Sequence, residues 1–293
     1  MNTIKSIKIR RDTKRVFLKK GACSHTFFYL LDREFGHPLE NEERAADPLA
    51  GGIVQQGYQC GMLWGATLAV GAESFRRCGE RARAIGLSIK ATQHILESFV
   101  NRAKSADCLD ITQCDFSSKL SLAKYMLTGK FLSCFKLADK WAPDAFQSAA
   151  AGLAFDQNDL PEQPLSCASE VIRKMGGSDA EMVMVAGFAG GLGLSGHGCG
   201  ALSAAVWLNT LARVRTQHYK ASFPDRESEK ILNAFYAVTD FEMECHKITG
   251  KRFQNIGEHT EFIKNDGCAK LIQVLADSAL PKTVMINDQV AKT

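Results

Sequence analysis

Eight of the ten cysteines in this 293-residue sequence form two sets of four that share the same order and nearly the same spacing. The first set is Cys23, Cys60, Cys108 and Cys134, and the second set is Cys167, Cys199, Cys245 and Cys268. The gaps are 37, 48 and 26 residues in the first set and 32, 46 and 23 in the second. Thiolates are soft metal ligands and are also the reactive species in disulfide exchange. The pattern therefore indicates that the chain serves sulfur chemistry.

Three kinds of chemistry are compatible with four cysteines per set. Four thiolates can hold a [2Fe–2S] or [4Fe–4S] cluster, two can cycle between dithiol and disulfide, and four can bind structural zinc. The spacing does not choose among them. Ferredoxin motifs keep three ligands within about a dozen residues, whereas neighbouring cysteines of each set here are 23 to 48 residues apart, so the fold must bring them together. We favour the iron–sulfur cluster, with dithiol exchange through a pair such as Cys108 and Cys134 as the alternative and a zinc-stabilised scaffold third. Cys78 and Cys114 have no counterpart and are interpreted as buried small hydrophobes.

The residues beside the second cysteine of each set are small. Gly61, Gly198 and Gly200 lie next to Cys60 or Cys199, and an absent side chain lets backbone amides approach a sulfur atom closely. We therefore predict that these glycines contact the cofactor. A cysteine at a helix start has its thiolate favoured by the helix dipole, as we expect for the first two cysteines of each set.

The segments that must position these cysteines read as helices in both halves. In the first half the apolar spacing predicts helices over 26–35, 53–75, 84–100, 118–127, 131–141 and 144–155. In the second half it predicts helices over 166–175, 180–188, 199–214, 227–245, 258–263 and 269–280. Strand patterns are confined to the N-terminal segment and residues 284–286. The fold class predicted is all-α.

Similar neighbours accompany the cysteines, which indicates a duplicated unit of domain size. Cys60-Gly61 matches Cys199-Gly200, Cys108-Leu-Asp-Ile-Thr112 matches Cys245-His-Lys-Ile-Thr249, and Cys134-Phe-Lys-Leu137 matches Cys268-Ala-Lys-Leu271. We predict a basic arm over residues 1–20, a first helical domain over 21–155 and a second over 165–293. The linker at 156–164 contains two prolines and three acids.

The stretch from Met182 to Leu211 contains no charged residue and by length could span a bilayer. Its many glycines would interrupt such a helix, so we predict a buried, tightly packed pair of helices instead. The same stretch contains Gly191-x-Gly193-x-x-Gly196, the dinucleotide-binding fingerprint. No strand ending in an acid follows, and the first half lacks the motif, so we do not interpret it as a nucleotide site.

Histidines and lysines near the cysteines are candidates for additional site residues. His246 follows Cys245, but Leu109 occupies the equivalent position in the first half, so His246, His197 and His259 are interpreted as packed or solvated. Lys136 and Lys270 do recur two residues after the last cysteine, where a positive charge would stabilise a thiolate or an anionic cluster. No hydrolase, zinc-protease or nucleotide-phosphate motif is present.

Charge and targeting signals place limits on partners. A net charge of +4 is too small to indicate nucleic acid binding. Eight basic residues crowd the first twenty positions; a membrane surface or acidic partner would suit them, but a solvated arm or edge strand is our interpretation. No apolar segment follows as in a secretory signal, so we expect a cytoplasmic protein with reduced thiols and a redox partner protein.

The cysteine pattern resembles the redox-active family named for its C…GCAxxG…C…C motif, whose related domains form the iron–sulfur portion of split-Soret cytochromes. The resemblance runs from about Gly21 to Leu280 as two tandem copies and is clearest in the second copy. The matching segments there are Cys167-Ala-Ser, Gly187-Phe-Ala-Gly-Gly191, Gly198-Cys-Gly-Ala201, Cys245-His-Lys-Ile-Thr-Gly250 and Gly267-Cys268. Gly61 and Gly200 stand where the family name has alanine, and Gln59 stands where it has glycine. The resemblance implies a redox function that uses all eight cysteines.

Overall fold

The computed structural model of the protein describes residues 13–279, and every regular element in that range is a helix. The all-α prediction is therefore confirmed. The first copy contains α1 (residues 13–20), α2 (Cys23–Phe35), α3 (Glu40–Ala45), α4 (Gly61–Cys78), α5 (Arg81–Ala103), α6 (Cys108–Thr112), α7 (Lys119–Leu127) and α8 (Phe131–Leu153). The second contains α9 (Cys167–Met175), α10 (Asp179–Met184), α11 (Gly200–Arg215), α12 (Arg226–Thr239), α13 (Cys245–Thr249), α14 (Ile256–Lys264) and α15 (Ala269–Ser278).

The two copies repeat the same order of elements. Helices α2 to α8 correspond one by one to α9 to α15, and a short 3-10 helix follows the second helix of each series (Asp47–Leu49 and Ala186–Phe188). Local signals set several helix ends. Gly36 ends α2 and Gly176 ends α9, each in the left-handed conformation that glycine adopts without steric cost, as the sequence predicts. A capping box of Ser178 and Glu181 starts α10.

Four of the predicted helices have bounds that differ clearly from those of the structure. The helix predicted from Ile53 begins only at Gly61, because residues 51–55 all have positive φ angles. The two helices predicted on either side of Pro143 are one continuous helix, α8. The helix predicted over 227–245 ends at Thr239, where Asp240 turns into the left-handed region. The short helices α3, α6 and α13 were not predicted, since five or six residues carry too little periodicity.

The basic N-terminal segment is partly helical. Residues 13–20 form α1, and the side chain of Phe17 is buried against Phe135, with ring centroids 4.6 Å apart. Lys14 lies 3.4 Å from Asp139, and Lys20 lies 3.8 Å from Glu43. The expectation of a solvated arm or edge strand is thus wrong for residues 13–20, because this segment forms a helix that buries Phe17 against Phe135 of α8. Residues 1–12 and the strand predicted over 284–286 lie outside the described range.

One hydrophobic core runs through both copies. Helix α10 of the second copy packs on α4 of the first, and α3 of the first packs on α11 of the second. Trp64 meets Phe188 edge to face at 4.7 Å across this boundary. Arg215 binds Glu181 of its own copy at 2.5 Å and Glu42 of the other at 2.8 Å. The two copies therefore stabilise each other through exchanged contacts of the kind found in a two-fold dimer.

The uncharged stretch from Met182 to Leu211 is buried within this core, as predicted. Across residues 13–279, we find no helix whose length and apolarity would let it cross a membrane.

Candidate functional site: two clusters of four cysteines

The helices place equivalent cysteines at equivalent positions. The first cysteine of each copy opens a helix, Cys23 in α2 and Cys167 in α9. The second lies immediately before a helix, Cys60 before α4 and Cys199 before α11. The third opens a five-residue helix in both copies. The fourth differs slightly, because Cys134 is the fourth residue of α8 whereas Cys268 precedes α15.

A left-handed turn precedes the second cysteine in each copy. Residues 51–55 and residues 190–194 all have positive φ angles, although five of these ten residues are not glycine. Those five are Ile53, Val54, Gln55, Leu192 and Leu194. A left-handed conformation costs such residues about 1–2 kcal/mol each. Strain of this size, repeated in both copies, is typical of segments that the surrounding fold holds in place for function.

The turn brings a backbone donor to the first cysteine. The amide of Gly51 donates a hydrogen bond to the sulfur of Cys23, and the amide of Gly190 does the same for Cys167. Gly52 must be glycine, since a Cβ there would lie 2.4 Å from the backbone of Tyr58. The strained turn thus provides an N–H···S contact to the first cysteine in both copies.

A short antiparallel bridge ties the second cysteine to the third. The Cys60 amide donates to the carbonyl of Ala106 (2.8 Å), and the Cys108 amide donates to the carbonyl of Tyr58 (2.7 Å). In the second copy the Cys245 amide donates to the carbonyl of His197 at 2.6 Å. These bridges explain how cysteines 46 or 48 residues apart in the sequence become neighbours.

All four cysteines of the first copy line one cavity of about 400 Å³. Cys60 donates a side-chain hydrogen bond to Cys23, and the Tyr125 hydroxyl lies 3.0 Å from the sulfur of Cys134. Cys108 interacts electrostatically with both Cys23 and Cys134. The structure therefore brings together all four cysteines that the sequence predicts for this copy.

The four cysteines of the second copy are also mutual neighbours. Cys245 interacts electrostatically with Cys167, Cys199 and Cys268, and Cys268 also interacts with Cys167. Among residues 13–279, no three His, Cys, Asp or Glu side chains are close enough together to hold a single metal ion as they stand. In the first copy the cysteines therefore line one cavity, and in the second copy they are neighbours; in neither copy do they converge on one point.

Burial controls the protonation of most of these thiols. It raises the pKa of Cys134 to about 11 and that of Cys268 to about 12, and it raises the pKa values of Cys108, Cys167, Cys199 and Cys245. Cys23 is the exception, because the hydrogen bond from Cys60, aided by the backbone amides of Gly51 and Ser24, lowers its pKa despite burial. The same hydrogen bond, followed by burial, raises the pKa of Cys60. Of the eight cysteines, Cys23 therefore has the most stabilised thiolate.

The predicted glycines occupy different environments. A Cβ on Gly61 would lie 2.5 Å from the sulfur of Cys23, so the backbone does approach a site sulfur there. A Cβ on Gly200 would meet the carbonyl of Phe188 at 1.9 Å, and one on Gly198 would meet the side-chain oxygen of Gln59 at 2.5 Å. Gly61 borders the cysteines, whereas Gly198 and Gly200 border the packing between elements. Cofactor contact by all three stays a prediction.

The histidines and lysines have packing or surface positions. His246 pairs through Nδ1 with the carbonyl of Gly196 at 2.8 Å, and His197 lies 3.9 Å from the carboxylate of Asp107. His259 is buried and contacts the carbonyl of Leu165 at 3.1 Å. Lys136 and Lys270 are exposed. These positions agree with the structural interpretation made for the three histidines.

Two residues near the first site were missed by the sequence reasoning. Tyr125 contacts Cys134 directly, and Cys114 is buried close enough to Cys108 and Cys134 to interact electrostatically with both. Neither has a counterpart in the cysteine repeat, so self-similarity could not identify them. Cys78 lies elsewhere, half-buried beside Glu80 and Arg83.

Comparison with known proteins gives one match. The sequence model of a family described as "Putative redox-active protein (C_GCAxxG_C_C)" matches residues 22–142 and residues 166–280. No curated protein and no solved structure matches the chain. The resemblance drawn from the cysteines is thus confirmed for both copies. Because the two matches together cover most of the sequence, the chain belongs to the redox-active C_GCAxxG_C_C family and contains two tandem copies of its domain.

Proposed function

We propose that each copy binds one iron–sulfur cluster through its four cysteines and that the protein transfers electrons to and from a redox partner protein. The observation that carries this proposal is the gathering of four cysteines in each copy from positions far apart in the sequence, with those of the first copy lining one cavity. Family membership supports a redox role and leaves the cofactor open.

The arrangement of the sulfur atoms fits a cluster. A cluster would share the four thiolates among its iron atoms, so the cysteines of a copy need to be neighbours but need not converge on one ion, which is how they lie here. Bound metal deprotonates a coordinating thiol outright, so the raised pKa values of the buried thiols are compatible with ligation. The amides of Gly51 and Gly190 would then stabilise bound sulfur in the two copies.

The residues that would hold the clusters are the two sets of cysteines. They are Cys23, Cys60, Cys108 and Cys134 in the first copy and Cys167, Cys199, Cys245 and Cys268 in the second. A bound cluster supplies one-electron chemistry, and its potential follows from burial and from hydrogen bonds to sulfur. Burial of Cys60 and Cys108 limits their contact with water, and Tyr125 offers a further hydroxyl donor to Cys134 in the first copy only.

One observation favours metal-free dithiol chemistry as a second candidate. The side chains of Cys23 and Cys60 are hydrogen-bonded to each other, and the pKa of Cys23 is lowered, which is the arrangement of an attacking thiolate beside its partner. Their oxidation would form a disulfide with release of two electrons and two protons to an acceptor. No equivalent side-chain hydrogen bond is found between Cys167 and Cys199.

The test is iron and acid-labile sulfide per chain, with a visible spectrum, on protein purified without oxygen. We expect both elements and a brown colour. Cys60→Ser and Cys199→Ser should each lose about half of the iron and sulfide, because each disables one copy. Cys78→Ser is the matched control, since Cys78 lies outside both sets, and it should keep the full content.

Two results would count against the cluster. Colourless, iron-free protein that still cycles between titratable thiols and a Cys23–Cys60 disulfide would favour dithiol exchange. Iron that is unaffected by either site variant would show that the metal binds elsewhere.

A further inference from the structure

The cavity lined by the first four cysteines extends beyond them to a wall of aromatic side chains. Its volume of about 400 Å³ falls within the range of small-molecule sites, about 300–1,000 Å³. Beyond the cysteines, its wall is mostly aromatic and aliphatic, and among residues 13–279 no charged side chain lines it. The aromatic lining residues are Phe17, Phe116, Tyr125, Phe131, Phe135 and Phe223.

The aromatic rings of the wall are held in place by contacts with one another. Phe131 packs edge to face with Phe135 at 5.9 Å, and Phe116 packs edge to face with Tyr125 at 5.3 Å. Such packed rings favour an aromatic guest, which can make the same edge-to-face contacts. Bringing a charge into this wall would be costly, because none of the described residues that line it carries an opposite charge.

The cavity reaches the surface at two apolar side chains. Met126 of α7 and Phe223 of the second copy both line it, and each is 52% exposed. Leu120 and Leu127 of α7 and Leu132 of α8 are also exposed. Clustered exposed apolar residues usually mark a binding site. Tyr125 is the buried residue of α7, so this helix forms a wall that is attached mainly through one side chain.

We propose that this cavity binds a small, uncharged, aromatic ring compound that enters between Met126 and Phe223 and lies beside the four cysteines of the first copy. Binding follows from the shape and lining of the cavity alone. A role for the compound as the electron donor or acceptor of the first site rests on the proposed redox function. Tyr125 is the polar group best placed to orient the compound, because its hydroxyl already faces Cys134.

The experiment uses two probes with the same rings. N-phenyl-1-naphthylamine is uncharged, and 8-anilinonaphthalene-1-sulfonate has the same rings with one negative charge. Binding of each to the full-length protein, purified without oxygen, is measured by equilibrium dialysis, with iron and sulfide determined on the same sample. We expect saturable binding of the uncharged probe, at one molecule per chain, and binding of the sulfonate that is weaker by about tenfold or more.

Variants at the opening test the location. Met126→Asp and Phe223→Asp place a charge at the opening from two different elements, and both positions are exposed enough to tolerate it. Each should weaken binding of the uncharged probe by about tenfold or more. Leu120→Asp is the matched control, since Leu120 lies on the same helix, is 82% exposed and does not line the cavity. It should leave binding within about twofold of wild type.

The outcomes separate this inference from the proposed function. Iron-loaded protein that does not bind the uncharged probe, or binds it only after the metal is removed, overturns the inference and leaves the cluster standing. Binding that neither opening variant weakens also overturns it. Iron-free protein that binds the probe and loses it in both opening variants supports the inference and counts against the cluster.

Discussion

His259 makes the stability of the second copy sensitive to acid. Its side chain is buried, and its Nδ1–H donates to the carbonyl of Leu165 at 3.1 Å. The next residue, Thr260, accepts a hydrogen bond from the amide of Leu165 at 3.1 Å. Leu165 lies two residues before Cys167, so this pair of contacts holds the segment that leads into α9. Protonation of His259 keeps the Nδ1–H donor but places a charge on a buried ring, so acid destabilises the fold around this segment.

The size of the effect follows from the pKa. Burial lowers the pKa of His259 to about 4, from about 6.5 in an unfolded chain. Above about pH 6.5 the ring is neutral in both states and its contribution to stability is complete. Between about pH 6.5 and pH 4 only the unfolded state binds the proton, so stability is lost as the pH falls. The full loss is about 3 kcal/mol, and about 2 kcal/mol is lost by pH 5.

The assay is urea unfolding near pH 7.5 and near pH 5, under reducing conditions, for wild type, His259→Asn and His94→Asn. Asparagine keeps a donor for Leu165 but does not titrate. We expect the variant to be less stable than wild type at pH 7.5 and to regain about 2 kcal/mol relative to wild type at pH 5. His94 is exposed, so its variant should follow wild type at both pH values. A stability difference between wild type and His259→Asn that is the same at both pH values would refute the reasoning.

Three further predictions concern other buried polar groups. Burial, followed by repulsion from Glu43, raises the pKa of Asp32 to about 8, so the free energy of unfolding should fall as the pH rises from about 4 to 8. In urea unfolding Asp32→Asn should abolish several kcal/mol of that loss, and a pH profile equal to that of wild type would contradict this. The buried side chain of Gln59 accepts a hydrogen bond from the amide of Gly198 and donates one to the carbonyl of Gly191, both in the other copy. Gln59→Ala should therefore lower the free energy of unfolding by about 3 kcal/mol, and a loss below about 1 kcal/mol would show that water replaces these contacts. The Tyr125 hydroxyl lowers the pKa of the Cys134 thiol and so partly offsets the effect of burial. Tyr125→Phe should therefore slow the alkylation of Cys134 by iodoacetamide in metal-free protein, measured by peptide mass spectrometry, and rates equal to those of wild type would show that the contact does not affect the thiolate.

Helix ends and helix faces were largely predictable from the sequence. The helices predicted over 26–35 and 166–175 end at those positions, because the glycine that follows each one adopts the left-handed conformation, a local signal that acts within one turn. The amphipathic pattern over 84–100 likewise predicted α5. Predictions failed where distant contacts decided the backbone. Ile53 and Val54 have apolar spacing suitable for a helix, yet they lie in a left-handed turn.

That turn shows why the site needed a tertiary structure. Its strain of about 1–2 kcal/mol per non-glycine residue is opposed by contacts from elsewhere in the chain. Ile53 is fully buried and lies against Gly198 of the other copy. A contact between residues this far apart in the sequence produces no hydrophobic periodicity in the residues around Ile53, so the turn could not be predicted from them.

By itself, the sequence determined the all-α class, the tandem duplication and the set of eight cysteines that recurs in both copies. These features could be predicted because helix periodicity, helix ends and the spacing of the cysteines are properties of neighbouring residues or of the order of residues. Only the tertiary structure decided that the copies share one core, that four cysteines line a cavity, and that Tyr125 and Phe223 complete its wall. The physical reason is that neighbours across a fold are selected by burial and hydrogen bonding between segments far apart in the sequence. Cys60 becomes a neighbour of Cys108, for example, through two backbone hydrogen bonds that either segment alone could not specify.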